Sequence, residues 1–354
     1  MPQLRKDPIT REWVVLATER AKRPSDFIAE RVPIPQDESA TCPFCPGNEK
    51  MTPPELLAYR SPGSGANAPG WWVRVVPNKY PALAVEGKLN KKGYGMYDLM
   101  NGVGAHEVII ETPEHDQTLE ALSQRQVEDV LWAYRARYLD LKRDPRMKYI
   151  LFFRNHGRVS GASLSHPHSQ LIATPMVPSE VQAEIEGAKH YEDYRDRCVY
   201  CDIVEQELEA EERLVSKNQH FIAFEPYASR YPFETWVLPR GHTASFATIS
   251  EEEHSSFAEM LREALGRISR CLSDPPYNYA LHTAPCDDDQ KPKFHWHLEI
   301  LPRLTITAGF EMGTGIFINV VPPEAAAQEL RAAGAEGKKE TDAAPVESIE
   351  ERPH

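Results

Sequence analysis

Residues 154–170 read Arg-Asn-His-Gly-Arg-Val-Ser-Gly-Ala-Ser-Leu-Ser-His-Pro-His-Ser-Gln, which sets His166 and His168 on either side of a proline after a turn-forming stretch. A second His-x-His stands at His295-Trp296-His297. Working outward from each, the chain repeats itself. Cys42-Pro43-Phe44-Cys45 and then His115 precede the first; Cys198-Val199-Tyr200-Cys201 and then His242 precede the second. The interval from His115 to His166 nearly equals that from His242 to His295, and the segments inside run in the same order and character. The pattern reads as one unit doubled, with only the first copy ending in His-Pro-His-Ser-Gln.

The intervals themselves carry the secondary structure. In 118–142, Leu119, Leu122, Val127, Val130, Leu131, Tyr134 and Tyr138 recur every third or fourth position, the period of a helix with one apolar face. "WWVRVVPNKYPAL" and "AHEVIIET" alternate and predict paired strands, and "YILFFRN" and "SQLIATP" predict two more. In the second half "HFIAFEP" and "FETWVLP" predict strands, 250–272 a helix, and "YNYALHT" and "FHWHLEILP" strands again. Strand-strand-helix-strand-strand, twice, is an α+β arrangement of mostly antiparallel sheet with flanking helices. The expected divisions are 1–185, 186–330, and an acidic tail 331–354, too poor in apolar residues to hold structure beyond about residue 335.

Composition narrows the function. With 354 residues, 41% hydrophobic and 26% charged, the chain can bury a core in each of two domains. No apolar run nears the ~18–20 residues of a membrane span, and the start "MPQLRKDPITREWVV" has no signal-peptide stretch, so a cytoplasmic protein is expected. A net charge of −13 opposes a broad nucleic-acid surface while leaving room for a small nucleotide. Six cysteines are too few for a disulfide scaffold in a chain this long, and two Cys-x-x-Cys pairs with distant histidines read as metal ligands. Zinc favours four Cys and His ligands in a tetrahedron. Cys42, Cys45, His115 and His166 supply one set, and Cys198, Cys201, His242 and His295 the other, for two zinc ions per chain. Cys271 and Cys286 have no such partners and read as ordinary buried thiols.

One histidine of His166-Pro167-His168 can anchor a metal while the other offers a ring nitrogen nearby. If its other nitrogen is committed to an acceptor, His168 is a single tautomer with a free lone pair, suited to nucleophilic attack. Around it Gly157 and Gly161 let backbone amides approach an anion, and Asn155, Ser163 and Gln170 are neutral donors to phosphoryl oxygens. No Walker-type Gly-Lys-Ser/Thr is present, which disfavours a kinase or ATPase. "RAKRP" offers Arg20, Lys22 and Arg23 as phosphate counter-charges.

Together, "RAKRP", "CPFC.GNE", "PNKYPAL", "TPEH", "N.G…GAS…HPHSQ", "HWHLEILPR" and "GFEMGTG" resemble the galactose-1-phosphate uridylyltransferase family, a branch of the histidine-triad superfamily, over about residues 1–330. The resemblance implies two related histidine-triad-like halves and ping-pong nucleotidyl transfer. His168 would attack the α-phosphorus of UDP-glucose and expel glucose 1-phosphate, and galactose 1-phosphate would then take up the uridylyl group. It further implies that Gln170 donates to the transferred phosphoryl, that Asn155 and Ser163 contact phosphate, that Asn78 lies in the nucleotide pocket and that Glu311 holds sugar hydroxyls. The first metal set matches a structural zinc site. A homodimer is implied, with Arg20 and Arg23 reaching a neighbouring subunit's site. The second metal site has two versions in the family, one using a glutamate with three histidines (here Glu184, His282, His295 and His297) and one using a second Cys-x-x-Cys. Cys198 and Cys201 favour the latter, which leaves His282 and His297 without a required role. Ser169, Lys79 and Thr305 depart from the uridylyl pattern, and Ser169 resembles the plant-type ADP-glucose phosphorylase branch, in which adenylyl passes from ADP-glucose to phosphate. Outside enzymes, the alternative is a zinc-stabilised binding module.

Overall fold

The computed structural model describes residues 1–20, 22–29, 41–287 and 294–341. Among them, ten strands form one sheet. The first half supplies β1 (Leu57–Arg60), β2 (Trp71–Pro77), β3 (Ala105–Ile110), β4 (Tyr149–His156) and β5 (His168–Thr174). The second supplies β6 (Leu214–Lys217), β7 (Phe221–Phe224), β8 (Thr235–Pro239), β9 (Tyr277–His282) and β10 (His297–Pro302). Across the sheet the order is β6-β7-β8-β10-β9-β4-β5-β3-β2-β1. Each half therefore has the same internal permutation, and the halves meet where β4 pairs antiparallel with β9. The α+β expectation holds, and the doubling read from sequence is a doubling of topology.

The longer helices are α1 (Gln124–Leu141), α2 (Ser179–Arg195), α3 (Val199–Ala210), α4 (Glu251–Leu272) and α5 (Pro323–Thr341). The repeated helices α1 and α4 start by the same device. Ser123 and Ser250 each accept from the backbone N–H three residues on, and Gln126 and Glu253 reach back to the cap N–H. That cap starts α1 later than residue 118, because 119–121 form a separate 3-10 turn. Strand alternation sends Phe152, Leu171, Leu281 and Leu298 to the face that α1 and α4 cover with Leu131, Tyr134, Phe257 and Leu261. The opposite face of β3, β5, β4, β9 and β10 carries His106, His168, Gln170, Asn155, Asn278 and His297, so the polar residues share the side away from the two helices.

Two of the expected boundaries, 185/186 and 330/331, fall inside helices. The division at 185/186 falls inside α2, whose Ala188 packs with Val199, Tyr200, Ile222 and Leu238 of the second half. The N-terminus joins that half too: Trp13–Leu16 pairs in parallel with Ile318–Asn319, and Ile9 enters the same cluster. The tail, expected to lose structure from about 335, continues α5 to Thr341, and the part of that helix before the tail buries Ala326, Ala327 and Leu330. Residues 342–354 lie outside the described residues. Among the described residues no helix is long and apolar enough to cross a membrane.

Candidate active site

The two expected ligand sets are each brought together. The ligand atoms of Cys42, Cys45, His115 and His166 lie within 4.8 Å of one another, as do those of Cys198, Cys201, His242 and His295. Cys45 Sγ is 3.2 Å from His115 Nδ1 and 3.5 Å from His166 Nδ1. In the second set Cys201 Sγ is 3.4 Å from His242 Nδ1 and 3.7 Å from His295 Nδ1. A tetrahedral ion with bonds of about 2.3 Å to sulfur and about 2.0–2.1 Å to nitrogen separates those atoms by about 3.6 Å, so both clusters have the right size. The outer contacts match as well. His166 Nε2 donates to Thr112 O and His295 Nε2 to Pro239 O, each at 2.9 Å. Such a bond leaves Nδ1 as the lone-pair nitrogen facing the thiols. The donor sets fit a metal of the zinc type.

His168 begins β5, two residues past His166. Its Nδ1–H donates to the His166 carbonyl at 2.8 Å, so Nε2 carries the lone pair. The Phe44 ring, from the Cys-Pro-Phe-Cys loop, stands edge-on to the imidazole at 5.2 Å between centroids. Cluster and nucleophile candidate are thus coupled twice, through the His166 carbonyl and through Phe44. Burial pushes the His168 pKa down to about 4; the His166 carbonyl opposes this, and the charge of Arg154 adds to it. At neutral pH the ring is an uncharged base.

Gln170 follows on the same face of β5, and its Oε1 lies 2.8 Å from His106 Nε2. Asn78 is in the same group, with Nδ2 3.2 Å from His106 Nε2 and its backbone N–H on His106 O at 2.8 Å. On β4, Asn155 Oδ1 accepts from Asn278 Nδ2 at 2.8 Å, and Asn278 also holds Ser160 O at 2.8 Å. The turn between them needs Gly161: its φ is +92°, and a Cβ there would sit 3.6 Å from Asn155 Nδ2. Ser163 is exposed on the loop that leads to His166.

Other expected residues stand apart. Glu311 caps its own short helix, accepting from Ala308 N at 2.6 Å and Ile318 N at 3.4 Å. Arg23 is exposed, its backbone N–H bonded to Asp26 Oδ2 at 2.8 Å. Arg20 ends a short 3-10 turn, and its side chain lies outside the described atoms. His106 and Asn278 were not anticipated. The signal was available in the period-two alternation of "AHEVIIET" and "YNYALHT", which puts both on the face shared with Gln170 and Asn155.

The second copy repeats the histidine device without its outlet. His297 Nδ1 lies 3.0 Å from His295 O, but its Nε2 faces the Glu184 and Glu299 carboxylates at 3.9 Å each and the side chain is fully buried. Glu184 also pairs with His282 at 2.8 Å. Burial would lower the His282 pKa, but the Glu184 carboxylate outweighs it and pushes the pKa up to about 9. His282 and His297 do not stand alone. With Glu184 and Glu299 they form a third group whose ligand atoms lie within 4.8 Å, while His295 belongs to the cysteine cluster. The expected alternative set Glu184, His282, His295 and His297 is thereby divided, with Glu299 standing where His295 was expected.

Residues 1–178 match the family described as galactose-1-phosphate uridyl transferase, N-terminal domain, and residues 104–351 match a domain of unknown function (DUF4921). The chain belongs to the galactose-1-phosphate uridylyltransferase family of nucleotidyltransferases. Among curated relatives, the ADP-glucose phosphorylase of Arabidopsis thaliana is 37% identical over 93% of this chain and 92% of its own length. The galactose-1-phosphate uridylyltransferase of Thermotoga maritima is 30% identical over 94% and 98%. Among solved structures, the Arabidopsis thaliana ADP-glucose phosphorylase with bound ADP-glucose superposes with a TM-score of 0.78 at 36% identity, covering 94% of this chain and 99% of that one. A uridylyltransferase superposes at 0.74 with 30% identity, covering 95% and 99%.

Proposed function

We propose that this family member is an ADP-glucose phosphorylase working through a covalent nucleotidyl-histidine. His168 Nε2 attacks the α-phosphorus of ADP-glucose, the phosphorus–oxygen bond to glucose 1-phosphate breaks, and inorganic phosphate then takes the adenylyl group to give ADP. The observation that carries this reading is 37% identity to an ADP-glucose phosphorylase along almost the full length of both chains, against 30% to a uridylyltransferase. Ser169 after the nucleophile, Lys79 beside Asn78, and Thr305 agree with it, since all three depart from the uridylyl pattern. The expectation of uridylyl transfer from UDP-glucose to galactose 1-phosphate becomes the second reading, supported by the Thermotoga maritima relative.

The chain's groups divide the work. The His166 carbonyl holds the His168 tautomer. Gln170, Asn155 and Ser163 supply neutral donors to the phosphoryl oxygens, and Asn78 meets the nucleoside. Glu311 meets the sugar, and Arg20 and Arg23 act across a homodimer. Both Cys2His2 clusters would hold zinc, which would supply structural tethering; His166 and Phe44 link the first cluster to His168.

The test is to incubate the purified protein separately with ADP-glucose and UDP-glucose, without acceptor, and weigh the intact chain and its peptides. An AMP-sized adduct on the peptide holding His168 supports the phosphorylase; a UMP-sized adduct alone transfers the conclusion to the uridylyl reading. His168→Asn must keep metal content and fold while losing the adduct. A zinc-loaded wild type with no adduct from either donor refutes both and leaves a binding module.

A further inference from the structure

The side chain of Gln170 has two chemically opposite ends, and only its N–H end can donate to a phosphoryl oxygen. The neighbours of His106 decide which end faces the substrate. The backbone N–H of Ala82 lies 3.2 Å from His106 Nδ1 and is a donor. Nδ1 must therefore accept, which places the proton of the neutral ring on Nε2. That Nε2–H points at Gln170 Oε1, 2.8 Å away. The carboxamide is thereby turned with its oxygen toward His106 and its N–H2 away. One neighbour competes with this assignment and loses on distance. Asn78 Nδ2 is 3.2 Å from the same Nε2, but Asn78 Oδ1 is already taken by the Tyr80 N–H at 2.9 Å, so only its N–H2 faces the ring. Two donors face each other there, and the shorter contact to Gln170 takes the proton.

We propose that His106 is a positioning residue for nucleotidyl transfer. Held as the Nε2–H tautomer by the Ala82 amide, it fixes Gln170 with its N–H toward the transferred phosphoryl group. The proposal rests on the covalent transfer argued above. A donor aimed in advance at developing charge is worth most when it needs no reorganisation during reaction. His106 acts only through Gln170, so its removal matters only while Gln170 is present.

The experiment is a double-mutant cycle on the zinc-loaded protein, reading single-turnover release of glucose 1-phosphate from ADP-glucose. His106→Leu keeps similar bulk and removes the donor; His106→Gln restores an N–H near the place of Nε2. His106→Leu should slow the transfer step about 10–100-fold with the KM for ADP-glucose within about threefold. His106→Gln should recover most of the rate, and His106→Leu combined with Gln170→Ala should be no slower than Gln170→Ala alone. Additive effects, a loss confined to KM, or equal damage from the Gln and Leu variants would overturn the proposal. A merely structural role predicts such equal damage, together with altered metal content.

Nitrogen-15 NMR of histidine-labelled protein, with the His106 signals identified by their loss in His106→Gln, reads the tautomer without any turnover. The proposal requires protonated Nε2 in the wild type and a mixed tautomer or displaced Nε2 signal in Gln170→Ala. Protonated Nδ1, or signals indifferent to Gln170, overturns it. A wild type that releases no glucose 1-phosphate refutes the parent reading, and the NMR result still decides whether His106 orients Gln170.

Discussion

Behind His168, on the helix-covered face of the sheet, Arg154 and Glu111 form an ion pair whose side chains are 2% and 0% exposed. Arg154 stands opposite Ser169 in register, so this pair supports the strand on which His168 begins. Burial raises the Glu111 pKa, and the Arg154 charge is the main counterweight. Arg154→Met removes that counterweight while keeping an apolar filling of comparable length. An unpaired buried carboxylate escapes by taking a proton, and the cost of that escape can be worked out. Against an unfolded glutamate pKa of about 4.3, binding a proton at pH 7 costs about 3.7 kcal/mol, within the usual range of about 3–5 kcal/mol for breaking a buried pair. At pH 5 the same cost is about 1 kcal/mol. The sign follows from linkage. The variant's folded state holds a proton that its unfolded state releases, so the destabilisation is present above the unfolded pKa and fades as pH falls toward it.

Unfolding entropy of about 2.1 cal/mol/K per residue over 354 residues converts these costs to Tm losses of about 5 °C at pH 7 and about 1–2 °C at pH 5. The assay is calorimetric melting of wild type and variant side by side at both pH values, so that any pH effect on bound metal is common to both. Glu111→Leu with Arg154→Met should return within about 1 kcal/mol of wild type, because replacing both partners leaves no buried charge. A loss at pH 7 below about 1 °C, or one independent of pH, would refute the reasoning.

The low pKa of His168 predicts that adduct formation at pH 5.5 stays within about twofold of its rate at pH 7.5, since a group titrating at about 4 is still neutral there. An ordinary histidine near 6.5 would lose about tenfold, and such a loss in stopped-time mass spectrometry would count against the buried, neutral nucleophile. Cys198→Ser should lower bound zinc by about one ion per chain and leave the adduct, whereas Cys42→Ser should lower both; elemental analysis with intact mass reads the two together. Ser250→Ala removes the cap of α4 and should cost about 1 kcal/mol in denaturant melting, with no change in adduct yield.

Local periodicity and local chemistry were legible in the chain. The doubled Cys-x-x-Cys and His-x-His spacing announced both Cys/His clusters, because four such ligands at repeated intervals have few other physical uses. Helix 250–272 was readable to within a residue, since Ser250 and Glu253 form a cap that needs no distant partner. The sites that escaped were those made by neighbours far apart in sequence. His106 reaches Gln170, and Asn278 reaches Asn155, only because β3 lies beside β5 and β9 beside β4. Strand order is set by long-range packing and not by local preference.

The same holds for the division of labour between the two copies. His168 and His297 sit in equivalent motifs with equivalent carbonyl bonds. Their fates differ because α2 folds onto the second half and brings Glu184 against one of them. The linear chain contains that carboxylate but not the packing that buries it. Composition and spacing were enough to point to two Cys/His ligand sets and to a histidine set among neutral donors. Tertiary packing decided which histidine keeps an open nitrogen, because exposure and charge at a ring are properties of what surrounds it in space.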